Sequence, residues 1–136
     1  MKLVDHLVLG SREAPTAAQV LEARTLFETI DYPCLMHCKS GADRAGVMAV
    51  LYAHFRLGLP IREAVRQLSF RYGHIRHGET GVLDYVFERY LAEGEPEGVS
   101  FVDWISRPDY DHLELKSKFK ARAWGTFLTE GLLRRE

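Results

Sequence analysis

The sequence has only two cysteines, Cys34 and Cys38, too few for the disulfide frameworks that staple small secreted domains. It shows no secretory n-region. Its longest uncharged run, Ala45 to Phe55, is too short to span a bilayer. The six histidines and two cysteines lack paired zinc-ligand spacing, so no metal centre is expected. A formal net charge of −1 gives no overall attraction to nucleic acid or to an anionic membrane. No basic surface with interleaved aromatics points to a nucleic-acid partner. Repeats and low-complexity tracts are also missing. Together these absences lead us to expect a protein of the reducing cytoplasm.

What is present describes one folded domain. A length of 136 residues is below the size at which chains usually divide, and 46% hydrophobic content is enough for a core. Charge is unevenly placed. Five arginines and two histidines stand against one acid between Arg56 and His77, nine acids against two arginines between Asp84 and Glu114. The segment from His112 to Glu136 turns basic again.

Leu3 to Leu9 reads as a strand, broken by the turn chemistry of Gly10 to Pro15. Thr16 with Gln19 forms a capping box that predicts a helix to about Thr29. Pro33 opens Cys34-Leu35-Met36-His37, the right length for a buried strand. After a polar loop, Ala45 to Ala53 is apolar on every side and predicts a buried helix. Ile61, Ala64, Val65, Leu68 and Tyr72 mark a second helix, and Val82 to Leu91 a third. Glu93 to Gly98 reads as a linker. A last helical stripe runs through Phe119, Trp124, Phe127, Leu128 and Leu132 and is expected to be core.

The informative stretch is His37-Cys38-Lys39-Ser40-Gly41-Ala42-Asp43-Arg44-Ala45-Gly46. A loop between strand and helix points successive N–H groups into one concavity at the positive end of the helix dipole, which makes a phosphate cradle. Gly41 allows close backbone approach, and Arg44 offers two parallel charge-assisted bonds to phosphate oxygens. Cys38 lies in the same positive field, which should depress its thiol and make it nucleophilic at neutral pH.

Here the chain resembles the Cys-based protein tyrosine and dual-specificity phosphatases, whose signature is His-Cys, five residues, Arg. His37, Cys38, Gly41 and Arg44 match it, and the compact bacterial members with His-Cys-Lys are most similar. The resemblance covers roughly Met1 to Leu91. It implies an α/β fold, a phosphatase-type sheet packed by C-terminal helices, with a catalytic core over 1–98 and a helical extension packed on the same domain over 99–136. It also implies that Cys38 attacks phosphorus, Arg44 steadies the trigonal transition state, and water hydrolyses the thiophosphate. His37 would hold Cys38 and help lower its pKa. Lys39, Ser40, Gly41, Ala42 and Asp43 would contact substrate, and Thr80 would sit in a loop packed over the cradle. No cofactor is required. The expected substrate is a phosphorylated protein, on tyrosine alone or on serine and threonine as well, or a small phosphomonoester such as a phosphoinositide. A catalytically impaired phosphate-binding module is the alternative.

The chain departs from the family in three places. Ala45 replaces the hydroxyl residue that usually follows the arginine, leaving Ser40 as the substitute. The general acid is either Asp5, at the usual separation, or Glu13, on the loop before the first helix; Glu13 is narrowly preferred. Only one strand precedes that loop, so the sheet is shortened, and a homodimer or other oligomer is expected to complete it.

Other residues carry blander readings. Cys34 is expected to be a small buried residue rather than a redox partner of Cys38. Asp43 is expected to cap the helix start. Arg71, His74, Arg76 and His77 are expected to form a basic rim attracting the phosphorylated substrate.

Overall fold

The computed structural model describes residues 3, 9–75 and 78–133, with the side chains of 70, 132 and 133 excepted. Its helices are α1 (Ala17–Thr29), α2 (Asp43–Phe55), α3 (Ile61–Ala64), α4 (Val82–Glu93), α5 (Phe101–Ile105) and α6 (His112–Leu133). Short 3₁₀ turns lie at Val65–Gln67, Phe70–Tyr72, Glu79–Gly81 and Glu95–Glu97.

Among the described residues there is no strand, which corrects the expected α/β sheet. The residues from Pro33 to His37 run without regular structure; Cys34 is exposed, as is Leu35, at 81%. Only Met36 leans on the core. The physical reason is that a strand is stabilised by a neighbour that pairs its N–H and C=O groups. The other candidate, Leu3 to Leu9, falls mostly outside the described residues. The dimer or oligomer expected to complete a sheet therefore has no sheet edge to pair with among the described residues. Cys34, read as a buried strand residue, is exposed for the same reason.

The helices follow from local chemistry where the signals are local. Thr16 accepts from the Gln19 N–H at 3.2 Å, and the Gln19 side chain accepts from the Thr16 N–H at 2.9 Å, the reciprocal capping box that starts α1. α2 buries Gly46, Val47, Val50, Leu51 and Ala53 at the centre of the helical assembly, between α1 and α3. α4 buries Val82, Leu83, Tyr85, Val86, Phe87 and Tyr90 and packs against α3 and α6.

The second predicted helix is not continuous. α3 passes into the 3₁₀ turn Val65–Gln67 and ends at Leu68, whose backbone leaves the helical region at φ −98°, ψ 80°. Leu68 instead lies over Gly46 of α2, its Cδ1 only 2.8 Å from where a Gly46 Cβ would stand. Tertiary docking of one leucine thus overrides a helical stripe. Tyr72, counted in that stripe, is exposed.

The first part of the segment after residue 98 lies in the core. Phe101, Trp104 and Ile105 of α5 are buried in the same cluster as Val20, Val50 and Phe87. Tyr90 meets Phe101 edge-on at 5.3 Å and Trp104 at 5.7 Å, an arrangement aromatic quadrupoles favour. This contact leaves no room at Gly94, where an added Cβ would lie 2.7 Å from Tyr90 Cδ2 and 3.0 Å from Trp104 Cδ1. Both neighbours are rings with little freedom to yield. Gly94→Ala is expected to destabilise the fold by about 2 kcal/mol, the usual cost of overpacking; a urea melt with no change in midpoint would contradict this packing.

Of the C-terminal stripe's described side chains, only Phe119 is core. Phe119 and Leu115 are buried, but Trp124, Phe127 and Leu128 are exposed, at 66%, 69% and 59%; the side chain of Leu132 lies outside the described residues. Periodicity identifies an apolar face without saying what covers it, and α6 runs past the body of the domain. No helix among the described residues is long and apolar enough to cross a membrane.

Candidate active site

The loop 38–42 is shaped by its own residues. Gly41 adopts φ +74°, the left-handed region where a side chain is disfavoured, and this turn swings the chain into α2. α2 begins at Asp43 with no side-chain cap from Ala42. Its first amides are therefore free of the usual capping oxygen, at the positive end of the helix dipole.

Cys38 lies half-buried within this turn. Burial alone would raise its thiol pKa. The backbone N–H groups of Ala45, Gly41 and Ser40, together with the Arg44 guanidinium, outweigh that penalty and hold the thiol below its ordinary value of 9.0. The amides of three residues and one cation thus favour negative charge at this sulfur. Ala45, which lacks the expected hydroxyl, contributes through its backbone instead.

Of the residues singled out in the sequence, Ser40, Gly41 and Arg44, with Ala45, act on the Cys38 thiol. His37 and Lys39 stand exposed, and the thiol shift arises from backbone amides and Arg44 rather than from His37. Ala42 is buried under the loop. Thr80 donates through Oγ1 to the Ile75 carbonyl at 3.3 Å, within the loop that precedes α4.

Of the two acid candidates, Glu13 is engaged with the C-terminal helix. Glu13 pairs with Lys116 of α6 at 3.4 Å, and its neighbour Arg12 pairs with Glu79 at 3.0 Å. Tyr110 donates to the Pro15 carbonyl at 2.6 Å, so the 11–15 loop is pinned to the C-terminal part of the chain. Asp5 lies outside the described residues.

Two assignments change. Asp43 does not cap α2; its Oδ1 lies 2.7 Å from His74 Nδ1. His74 does not belong to a basic rim, because it is 2% exposed and its Nε2 lies 2.5 Å from Asp84 Oδ2. Burial would lower the His74 pKa, but the hydrogen bonds and charges of Asp84 and Asp43 raise it above 6.5. The buried imidazole therefore sits between two carboxylates that favour its protonated form. Arg71 remains exposed beside the Tyr72 ring, while Arg76 and His77 lie outside the described residues.

Sequence reasoning placed His74 on the rim and missed Asp84. One signal was available: Asp84 is a lone acid within Val82-Leu83-Asp84-Tyr85-Val86-Phe87, and a carboxylate in so apolar a run needs a partner. Nothing in the sequence pointed to His74 as that partner. No protein-family model, curated protein or solved structure matches the chain.

Proposed function

We propose that the chain is a cysteine-dependent phosphatase acting on phosphomonoesters of the aryl type, with phosphotyrosine the leading substrate. The reading is carried by the turn at Gly41, φ +74°, which sets Cys38 and Arg44 about the N-terminus of α2, and it is supported by a thiol that backbone amides and the Arg44 charge hold below its ordinary value. The same groups that stabilise a thiolate suit the equatorial oxygens of a phosphoryl group in transfer.

In the proposed reaction the Cys38 thiolate attacks phosphorus, the S–P bond forms, and the P–O bond to the leaving group breaks. The departing oxygen takes a proton from the general acid, assigned to Glu13. Water then attacks the thiophosphate, returns its proton to that carboxylate, and releases inorganic phosphate and the Cys38 thiolate. The exposed positions of His37, Lys39 and Ser40 support an open rim that also admits phosphoserine, phosphothreonine or a small phosphomonoester. A thiolate nucleophile is preserved in a reducing compartment, so the cytoplasm is the proposed location.

A second reading is favoured by the ion pair that engages Glu13 with Lys116: a phosphate-binding module with no acid in place. Hydrolysis of a small aryl phosphate across pH separates the two. The thiol is held below 9.0, so the nucleophilic thiolate is lost as pH falls through that lowered value. The acid limb of kcat/KM is therefore expected below pH 9.0. Glu13→Gln is expected to remove the basic limb; if Asp5→Asn does so instead, the acid is Asp5. Wild-type protein that binds vanadate without turnover would sink the phosphatase reading.

A further inference from the structure

The Asp43–His74–Asp84 chain joins three separate segments. Asp43 is the first residue of α2, Asp84 lies in the first turn of α4, and His74 stands between them on the connection before α4. Both imidazole nitrogens are used, at 2.7 Å and 2.5 Å. The two carboxylates are themselves mostly covered, at 23% and 14% side-chain exposure. A buried imidazole with both nitrogens bonded to carboxylates is expensive to displace, so this chain has one strongly preferred arrangement.

Its near end lies in the cradle itself. Asp43 sits between Ala42 and Arg44, so any shift of its backbone carries the Arg44 guanidinium and the first amides of α2 with it. The packing on this side is close. Gly73 takes φ +83°, and a Cβ built there would meet Ala42 Cβ at 3.5 Å. The His74 N–H is bonded to the Ser69 carbonyl at 3.2 Å, which fixes the turn that delivers the imidazole. The charged groups facing His74 are Asp43 from α2 and Asp84 from α4.

We propose that Asp84, His74 and Asp43 form a positioning relay that holds the phosphate cradle in its anion-binding shape: Asp84 orients His74, and His74 holds Asp43 and with it the backbone around Arg44. The inference rests on reading the Cys38 loop as a phosphatase cradle. None of the three touches the reacting atoms in this role. Their effect is exerted through the alignment of the amides and Arg44, where small displacements matter to the reaction.

Asp84→Asn tests the relay by the sign of its effect on Cys38. The substitution removes one negative charge from the neighbourhood, and a field effect alone would lower the Cys38 pKa further. A loosened cradle withdraws amides from the sulfur and raises it. The midpoint pH of Cys38 alkylation by iodoacetamide is expected to rise by about one unit, with weaker binding of inorganic vanadate. Turnover of an aryl phosphate is expected to fall on the order of 10-fold per folded molecule. Asp84→Glu keeps the charge and lengthens the arm, and is expected to restore most of the midpoint and the turnover. It also serves as the reporter if Asp84→Asn fails to fold, and should then show a smaller rise of the same sign. A lowered melting temperature with an unchanged or lowered alkylation midpoint would reduce the three residues to an ordinary stabilising ion pair and overturn the relay. Alkylation does not require turnover. A wild-type protein without phosphatase activity thus defeats the functional reading, whereas an unmoved midpoint in the variants defeats the relay.

Discussion

Cys38→Ser is expected to abolish hydrolysis of a small aryl phosphate, by on the order of 10⁴-fold or more in kcat, the scale seen when a covalent nucleophile is removed. The hydroxyl occupies nearly the same space as the thiol but does not ionise near neutral pH. The amides of Ala45, Gly41 and Ser40 that stabilise a thiolate then have no anion to stabilise until phosphate arrives. Binding of phosphate or vanadate should survive, because the cradle amides and Arg44 are untouched. The contrast is the informative result: lost turnover with retained affinity identifies Cys38 as the attacking atom. Turnover of Cys38→Ser near the wild-type rate would remove the thiol from the mechanism.

Arg44→Lys should lower kcat by roughly 10²- to 10³-fold, the usual cost of losing an aligned donor to a developing anion. The charge is preserved, but the planar two-pronged contact becomes a single point. Arg44 also contributes to lowering the Cys38 pKa, a contribution that a flexible ammonium supplies less well. The acid limb of the rate profile should therefore move to higher pH in the same variant. Stopped-flow or steady-state kinetics across pH would read both effects. A rise in KM with kcat unchanged would mean that Arg44 contributes only uniform binding and does not favour the transition state.

The relation between these residues and the sequence differs from part to part. The Thr16–Gln19 capping box, the apolar faces of α2 and α4, and the loop from Cys38 to Arg44 depend on neighbours a few residues away. Their signals are correspondingly readable, since capping, periodicity and the glycine turn are local chemistry. The strand expected at Pro33 to His37 failed because its stability resides in a partner that no local pattern specifies. The exposure of Trp124, Phe127 and Leu128 was hidden for a related reason: an apolar stripe states a preference, and the fold decides whether anything meets it.

The sequence by itself determined the surroundings of Cys38, by placing a glycine turn and an arginine at the start of a buried helix. It also determined the capping box that starts α1 and the buried face of α4. Only the tertiary structure decided what lies beneath the cradle. His74 is 31 residues from Asp43 and 10 from Asp84, and its burial between them depends on how α2 and α4 come together. A histidine in an arginine-rich stretch reads as surface charge until the fold removes it from water. Once there, desolvation makes its two carboxylate partners necessary.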